Sequence, residues 1–108
     1  MVDFHLDEFN SERGSHMKLV FRQHAIRRMF ERRISVGDVN TALTDAKIVE
    51  DYPDDAPYPS RLLLGYAGAR PLHVVVADNA TDGERIIITA YEPDPAQWEP
   101  TFTLRKKS

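Results

Sequence analysis

Three β-rich segments in quick succession constrain the fold of this chain more than any other feature. Each has about six residues, and together they span 61–66, 72–77 and 85–91. The first segment contains Gly65, and the stretch between the first two segments contains Gly68 and Pro71. The turn-forming stretch 78–83 separates the last two segments. Strand-forming runs divided by such turns are typical of neighbouring strands in a sheet. The sequence therefore predicts an antiparallel meander.

Side-chain alternation assigns the faces of the last two segments. One face takes Leu72, Val74 and Val76 with Ile86, Ile88 and Ala90, and the other takes His73, Val75 and Ala77 with Ile87, Thr89 and Tyr91. If the hairpin turn is centred on residue 81 or 82, His73 lies opposite Thr89 or Tyr91. We expect helices to cover the purely apolar face.

Two helices are predicted ahead of the meander. Residues 22–32 carry apolar side chains at helical spacing: Ala25, Ile26, Met29 and Phe30. Ser35 with Asp38 three residues later is typical of a capping box, which begins a second helix that runs to about Asp45. The connection at 33–34 is short, so the helices share a core. We expect an α+β fold with two N-terminal helices packed on one face of a curved antiparallel sheet of three to four strands.

The flanking segments are assigned separately. Val20-Phe21 and 47–50 are candidate short strands, and the apolar residues Trp98, Phe102 and Leu104 predict a tail that packs back on the domain. The string Gly14-Ser15-His16-Met17 resembles the scar of a cleaved expression tag. We therefore expect 1–16 to be an expression leader and 17–108 to be one domain, since chains this short rarely hold two cores.

Composition excludes several classes of protein. The chain has no cysteine, so disulfides and thiolate metal sites are excluded, and a reducing compartment, the cytoplasm, is expected. No apolar run approaches the roughly 20 residues of a spanning helix, so no membrane association is expected. There is no nucleotide-binding glycine loop and no EF-hand or HExxH spacing, so we expect neither cofactor nor metal.

Charge is segregated along the chain despite a net charge of only -3. Residues 18–33 contain six basic side chains and one acidic side chain, whereas 38–55 contain six acidic side chains and one basic side chain. This pattern indicates a basic helix beside an acidic loop.

Two groups of residues could carry chemistry. His24, Arg28 and Arg32 follow one another at i, i+4 spacing, and an imidazole with two guanidiniums suits a phosphodiester. The alternative is a solvated helix border. On the sheet, His73, Thr89 and Tyr91 together offer a proton acceptor, a hydroxyl and a stacking surface. The alternative there is a hydrogen-bonded structural histidine beside an edge tyrosine.

One string carries a resemblance to a known family. The run from His24 to Ser35 is similar to the HAxxRMxxR-I opening of the family of domains of unknown function numbered 4258. Further matching strings are 70–76 and 88–93, and the resemblance covers roughly 20–100. The family looks like a relative of small toxins of RelE-like or barnase-like fold that are encoded beside antitoxins.

The resemblance implies a toxin that acts as a metal-independent endoribonuclease. RNA and a cognate antitoxin would be its partners, and a homodimer is left open. The implied roles are acid or base for His24 and His73, stacker or alternative acid for Tyr91, and substrate binding for Arg28, Arg32, Thr89 and Arg61. The competing interpretation is a non-catalytic protein-binding module of a small bacterial operon, in which the basic helix and a proline loop contact a partner.

Overall fold

The computed structural model describes the backbone of residues 4–6 and the chain from 17 to 107. In this part of the chain the elements are β1 (Phe4–Leu6), β2 (Lys18–Phe21), α1 (Gln23–Glu31), α2 (Val36–Thr44), β3 (Lys47–Tyr52), β4 (Ser60–Ala67), β5 (Arg70–Asn79) and β6 (Glu84–Tyr91). The predicted α+β class and both predicted helices are confirmed. Neither nine-residue helix is long and apolar enough to cross a membrane.

The sheet is larger than predicted and mixed in direction. Its strands lie in the order β1-β2-β6-β5-β4-β3. Strands β3 to β6 form the predicted antiparallel meander, but β2 pairs with β6 in parallel and β1 pairs with β2 in antiparallel. The expectation of three to four antiparallel strands is therefore corrected. The pairing of β2 with β6 joins segments more than sixty residues apart, which no local pattern reveals.

The helices cover one face of the sheet, as expected. Ser35 caps α2 as predicted: its side chain accepts from the Asp38 amide at 2.9 Å, and the Asp38 carboxylate accepts from the Ser35 amide at 2.9 Å. Between helices and sheet lies the main core: Leu19, Phe21, Met29, Ile34, Val39, Ala42, Leu43, Leu63, Leu72, Val74, Val76, Ile87 and Ala90. The helix-facing position of Leu72, Val74 and Val76 was predicted correctly.

A bulge in the β5–β6 pair corrects the predicted faces of β6. Val75 lies opposite Thr89, but Val76 lies opposite Ile87, so Ile88 is an extra residue on β6. Strict alternation places Ile87 and Ala90 on opposite faces, yet both belong to the main core. The pairing of His73 with Tyr91 and of Val75 with Thr89 keeps His73, Thr89 and Tyr91 on a common face, as predicted.

The chain after β6 folds back as a small hairpin, residues 97–106, called the C-terminal hairpin below. The Glu99 amide donates to the Leu104 carbonyl at 2.8 Å, and the Lys106 amide donates to the Gln97 carbonyl at 2.9 Å. Trp98 is buried, which confirms the packing expected of the tail, whereas Leu104 is exposed. Trp98 lies on the side of the sheet opposite the helices, because it contacts the ring of His73.

Candidate functional site

The edge of β6 becomes accessible to side chains where β2 ends. β2 pairs with β6 only as far as Ile87, because the chain turns into α1 after Phe21. Arg32, just after the end of α1, occupies the edge beyond. Its Nη1 donates to the Ala90 carbonyl oxygen at 3.0 Å and to the Thr89 hydroxyl oxygen at 3.1 Å. A guanidinium from the helix layer thus reaches round the sheet edge.

Arg32 also faces the aromatic ring of Tyr91. Its Cζ lies 6.0 Å from the ring centroid, at the outer limit of a cation–π contact. Arg32, Thr89 and Tyr91 therefore form one group, which we call the edge site. The structure brings these three predicted residues together because Arg32 extends from the helix layer round the edge of the sheet, towards the face that carries Tyr91.

The Tyr91 hydroxyl is held in its protonated form. Burial raises the pKa of Tyr91 above 10.0 and outweighs the Arg105 guanidinium, which lowers it; Glu50 raises the pKa and Arg32 lowers it by smaller effects. A phenol of this kind is neutral at physiological pH and can donate a proton. Half-buried beside a guanidinium, Tyr91 is the residue of the edge site best suited to act as a general acid.

His73 lies next to Tyr91 but is closed off from solvent. It is fully buried, and its ring contacts those of Tyr91 and Trp98 with centroids 5.6 and 4.6 Å apart. Its Nε2 lies 2.8 Å from the Phe102 carbonyl oxygen, which can only accept, so Nε2 carries the proton. The C-terminal hairpin therefore covers the histidine for which the sequence predicts a catalytic role.

The His73 ring is neutral. Burial lowers the pKa of His73, and this effect outweighs the bond to Phe102, which raises it. With the proton on Nε2, the unprotonated Nδ1 is buried without a hydrogen-bond partner among the described residues. In this geometry the imidazole cannot reach a phosphodiester, so it supports Tyr91 through packing.

The other predicted site residues lie apart from the edge site. His24 is exposed at the start of α1, eight positions from Arg32, which is about 12 Å of helix. Arg28 is exposed on the same helix border and lies 3.7 Å from Glu31. Arg61, on β4, pairs with Asp51 of β3 at 3.3 Å, two strands away from β6.

A family model supports the resemblance carried by these residues. The model for the Domain of unknown function (DUF4258) matches residues 21–92. The chain belongs to this family. Searches of curated proteins and of solved structures found no match. The region shared with DUF4258 contains Arg32, His73 and Tyr91 but ends before the C-terminal hairpin.

Arg70 is a positioning residue that the sequence interpretation did not assign. Within the DUF4258 region, its guanidinium donates to the carbonyl oxygens of Arg33 at 2.6 Å and Arg32 at 2.8 Å and pairs with Glu92. These carbonyls lie at the end of α1, where helices leave acceptors unsatisfied. Arg70 thus holds the backbone from which Arg32 extends. The sequence signal for Arg70 was its position at the start of 70–76, one of the strings that carry the family resemblance.

Arg105 is the second residue that sequence reasoning missed. Its Cζ lies 4.5 Å above the Trp98 ring, and its Nη2 lies 4.0 Å from a Glu50 carboxylate oxygen. In the sequence it belongs to a basic terminal run, and the predicted packing of the tail does not show which face of the sheet Arg105 reaches. Among the described residues, no three of His, Asp and Glu gather as metal ligands.

Proposed function

We propose that this DUF4258 protein is a toxin-like, metal-independent endoribonuclease whose substrate phosphate binds at the edge site. The observation that carries the proposal is the reach of Arg32 from the basic helix to Tyr91 on the far face. A cation of the type that suits phosphate thus lies near a phenol that can donate a proton, which supports the proposal. The RelE-like or barnase-like kinship implied by the resemblance, the antitoxin partner and a cytoplasmic location are parts of the same proposal.

Arg32 has donors to spare for a phosphate. Only its Nη1 is engaged in hydrogen bonds with the described residues, and the side chain is exposed. The other guanidinium donors match the fork geometry of phosphate oxygens. Arg28, one turn earlier on the same border, extends the cationic surface along the RNA backbone.

The proposed step is cleavage by the neighbouring ribose hydroxyl. The 2′-oxygen attacks phosphorus and its proton passes to solvent, while the bond from phosphorus to the 5′-oxygen breaks. Tyr91 gives its phenolic proton to the departing 5′-oxygen and regains one from water. Arg32 stabilises the added charge on the phosphate oxygens. The products carry a 2′,3′-cyclic phosphate and a 5′-hydroxyl.

The decisive variant is Tyr91→Phe in the full chain. Removing the phenolic proton donor is expected to lower kcat by about 10²–10⁴-fold while leaving the affinity for RNA nearly unchanged. The assay follows the ends of a single-stranded RNA in the presence of EDTA. Tyr66→Phe, at an exposed tyrosine of β4, is the matched control and should cleave like the parent. Absence of cleavage by the parent, or full activity of Tyr91→Phe, would contradict the proposal.

A second function, protein binding without catalysis, is favoured by one observation. Phe30 on α1 is 82% exposed, and the cations Arg27 and Arg33 lie three residues to either side of it. Exposed aromatic and arginine side chains are typical of protein interfaces. Phe30→Ser should abolish capture of the protein encoded beside this one and leave RNA cleavage unchanged. Loss of capture together with an inactive parent chain would favour this second function.

A further inference from the structure

Arg70 contacts both segments that carry the edge site. Its guanidinium donates to the backbone carbonyl of Arg32 at 2.8 Å, and its Nε donates to the carboxylate of Glu92. Arg32 directly follows the last residue of α1, and Glu92 directly follows Tyr91 at the end of β6. One side chain at the start of β5 therefore connects the segment of the cation with the segment of the phenol.

The backbone that follows α1 is strained at Arg33. The Ile34 amide donates to the Met29 carbonyl at 2.8 Å, and the Arg33 amide donates to the carbonyl three residues before it at 3.1 Å, a pattern that commonly ends helices at a glycine. Here Arg33 takes the glycine position with a φ of 59°, in the left-handed region. Arg70 donates to the Arg33 carbonyl at 2.6 Å, so it holds the strained residue that directly follows Arg32.

The planar guanidinium of Arg70 fixes its acceptors relative to one another. Nε serves the Glu92 carboxylate, while Nη1 and Nη2 serve the carbonyls of Arg33 and Arg32. Nη1 also lies 3.8 Å from the Asp38 carboxylate, which belongs to the capping box of α2. These ion pairs are partly open to solvent, so their net effect on stability is small. The rigid fork instead contributes direction, because donors in one plane cannot move independently.

We infer that the Arg70–Glu92 pair sets the alignment of Arg32 with Tyr91, so that the phosphate bound by the guanidinium meets the phenolic proton. This inference rests on the proposed function. Neither member of the pair touches the RNA, and both are positioning residues. Alignment matters because a displacement of about 1 Å in a catalytic site can cost about 10²-fold in rate.

The first test compares kcat and KM of Arg70→Met with those of the parent, using the full chain and a single-stranded RNA in EDTA. Methionine keeps an apolar stem and removes the fork, so kcat should fall by about 10–10²-fold while KM changes less than about threefold. Arg85→Met is the matched control, because Arg85 makes a two-bond pair with Asp78 at the other end of the β5–β6 pair. It should keep the parent kcat, and equal kcat values in the two variants would overturn the inference.

Substitutions of Glu92 test the acceptor side of the pair and decide the question if Arg70→Met does not fold. Glu92→Gln keeps an oxygen that can accept from the Arg70 Nε, so it should retain most of kcat. Glu92→Ala removes the acceptor and should lower kcat as Arg70→Met does. Far-UV circular dichroism checks that each variant is folded. Equal kcat values for Glu92→Gln and Glu92→Ala would overturn the inference.

A double-mutant cycle separates positioning from general destabilisation. In an Arg32→Ala background there is no guanidinium to align, so most of the loss caused by Arg70→Met should disappear. In an Arg28→Ala background, one turn earlier on α1, the full loss should remain. Equal losses in the two backgrounds would overturn the inference and leave the proposed function intact. Failure of the proposed function appears differently, as absence of cleavage by the parent or full activity of Tyr91→Phe.

Discussion

At the scale of single residues, His73 shows how burial changes what a histidine can do. An imidazole on a solvated face exchanges protons near neutral pH. This one is covered by Trp98, and its Nε2–H donates a hydrogen bond to the Phe102 carbonyl oxygen. Its Nδ1 has no hydrogen-bond partner in the part of the chain that the structure describes, and this destabilises the fold because a buried acceptor loses its hydration. His73, for which the sequence predicts catalysis, is thus buried beside Tyr91, and in the proposed function the phenol is the proton donor.

The state of His73 predicts a stability change in acid. Its folded pKa lies below the ordinary histidine value of 6.5, so the unfolded chain takes up the proton first as the pH falls. The free energy of unfolding should therefore decrease below about pH 6.5, by up to about 1.4 kcal/mol per pH unit until the folded pKa is reached.

Urea denaturation of the full chain at several pH values checks this prediction. His73→Gln should lose this contribution to the slope, because glutamine keeps an N–H donor but does not titrate. His24→Gln replaces an exposed histidine and should keep it. A slope that survives in His73→Gln would assign the acid sensitivity to another group.

At the scale of elements, the position of α2 depends on a close approach at Gly65. A Cβ on this β4 residue would lie 1.9 Å from the Ala42 carbonyl oxygen, so the helix backbone sits directly on the strand. Gly65→Ala should force α2 away from β4 and destabilise the domain by about 3 kcal/mol or more. Gly37→Ala, inside α2 with ordinary contacts, should instead raise stability by up to about 1 kcal/mol. Thermal unfolding of both variants measures the difference, and similar melting temperatures would contradict this account.

Local patterns predicted the elements whose partners are close in the chain. The hairpin turn and the two-residue period predicted that His73 lies opposite Thr89 or Tyr91, because both act over a few residues. It lies opposite Tyr91 because the bulge adds Ile88 to β6. The extra residue Ile88 was not predictable, because a bulge depends on how β6 packs against the neighbouring strand. The reach of Arg32 also depended on a distant event, the end of β2 beside β6. The sequence therefore showed which residue types form the site. How they come together was visible only in the structure.

At the scale of the whole molecule, the segregated charge gives the sheet a basic side and an acidic side. The basic helix α1 packs on β6 near one end of the strand order, while the acidic stretch includes β3 at the other end. A net charge of -3 then coexists with a local attraction for polyanions. The edge site lies at the cationic end, so in the proposed function long-range attraction and the local donors of Arg32 act on the same RNA.

Salt dependence separates localised phosphate contacts from this general attraction. If Arg28 and Arg32 each engage one phosphate, the logarithm of the binding constant for single-stranded RNA should fall against the logarithm of salt concentration with a slope of about -1.4. Arg32→Ala should reduce that slope by about 0.7, because one contact and its released counterion are lost. Lys47→Ala removes an equal charge from exposed β3 and should leave the slope unchanged. Fluorescence anisotropy titrations over a salt series measure all three, and equal slopes in the two variants would mean that Arg32 makes no direct phosphate contact.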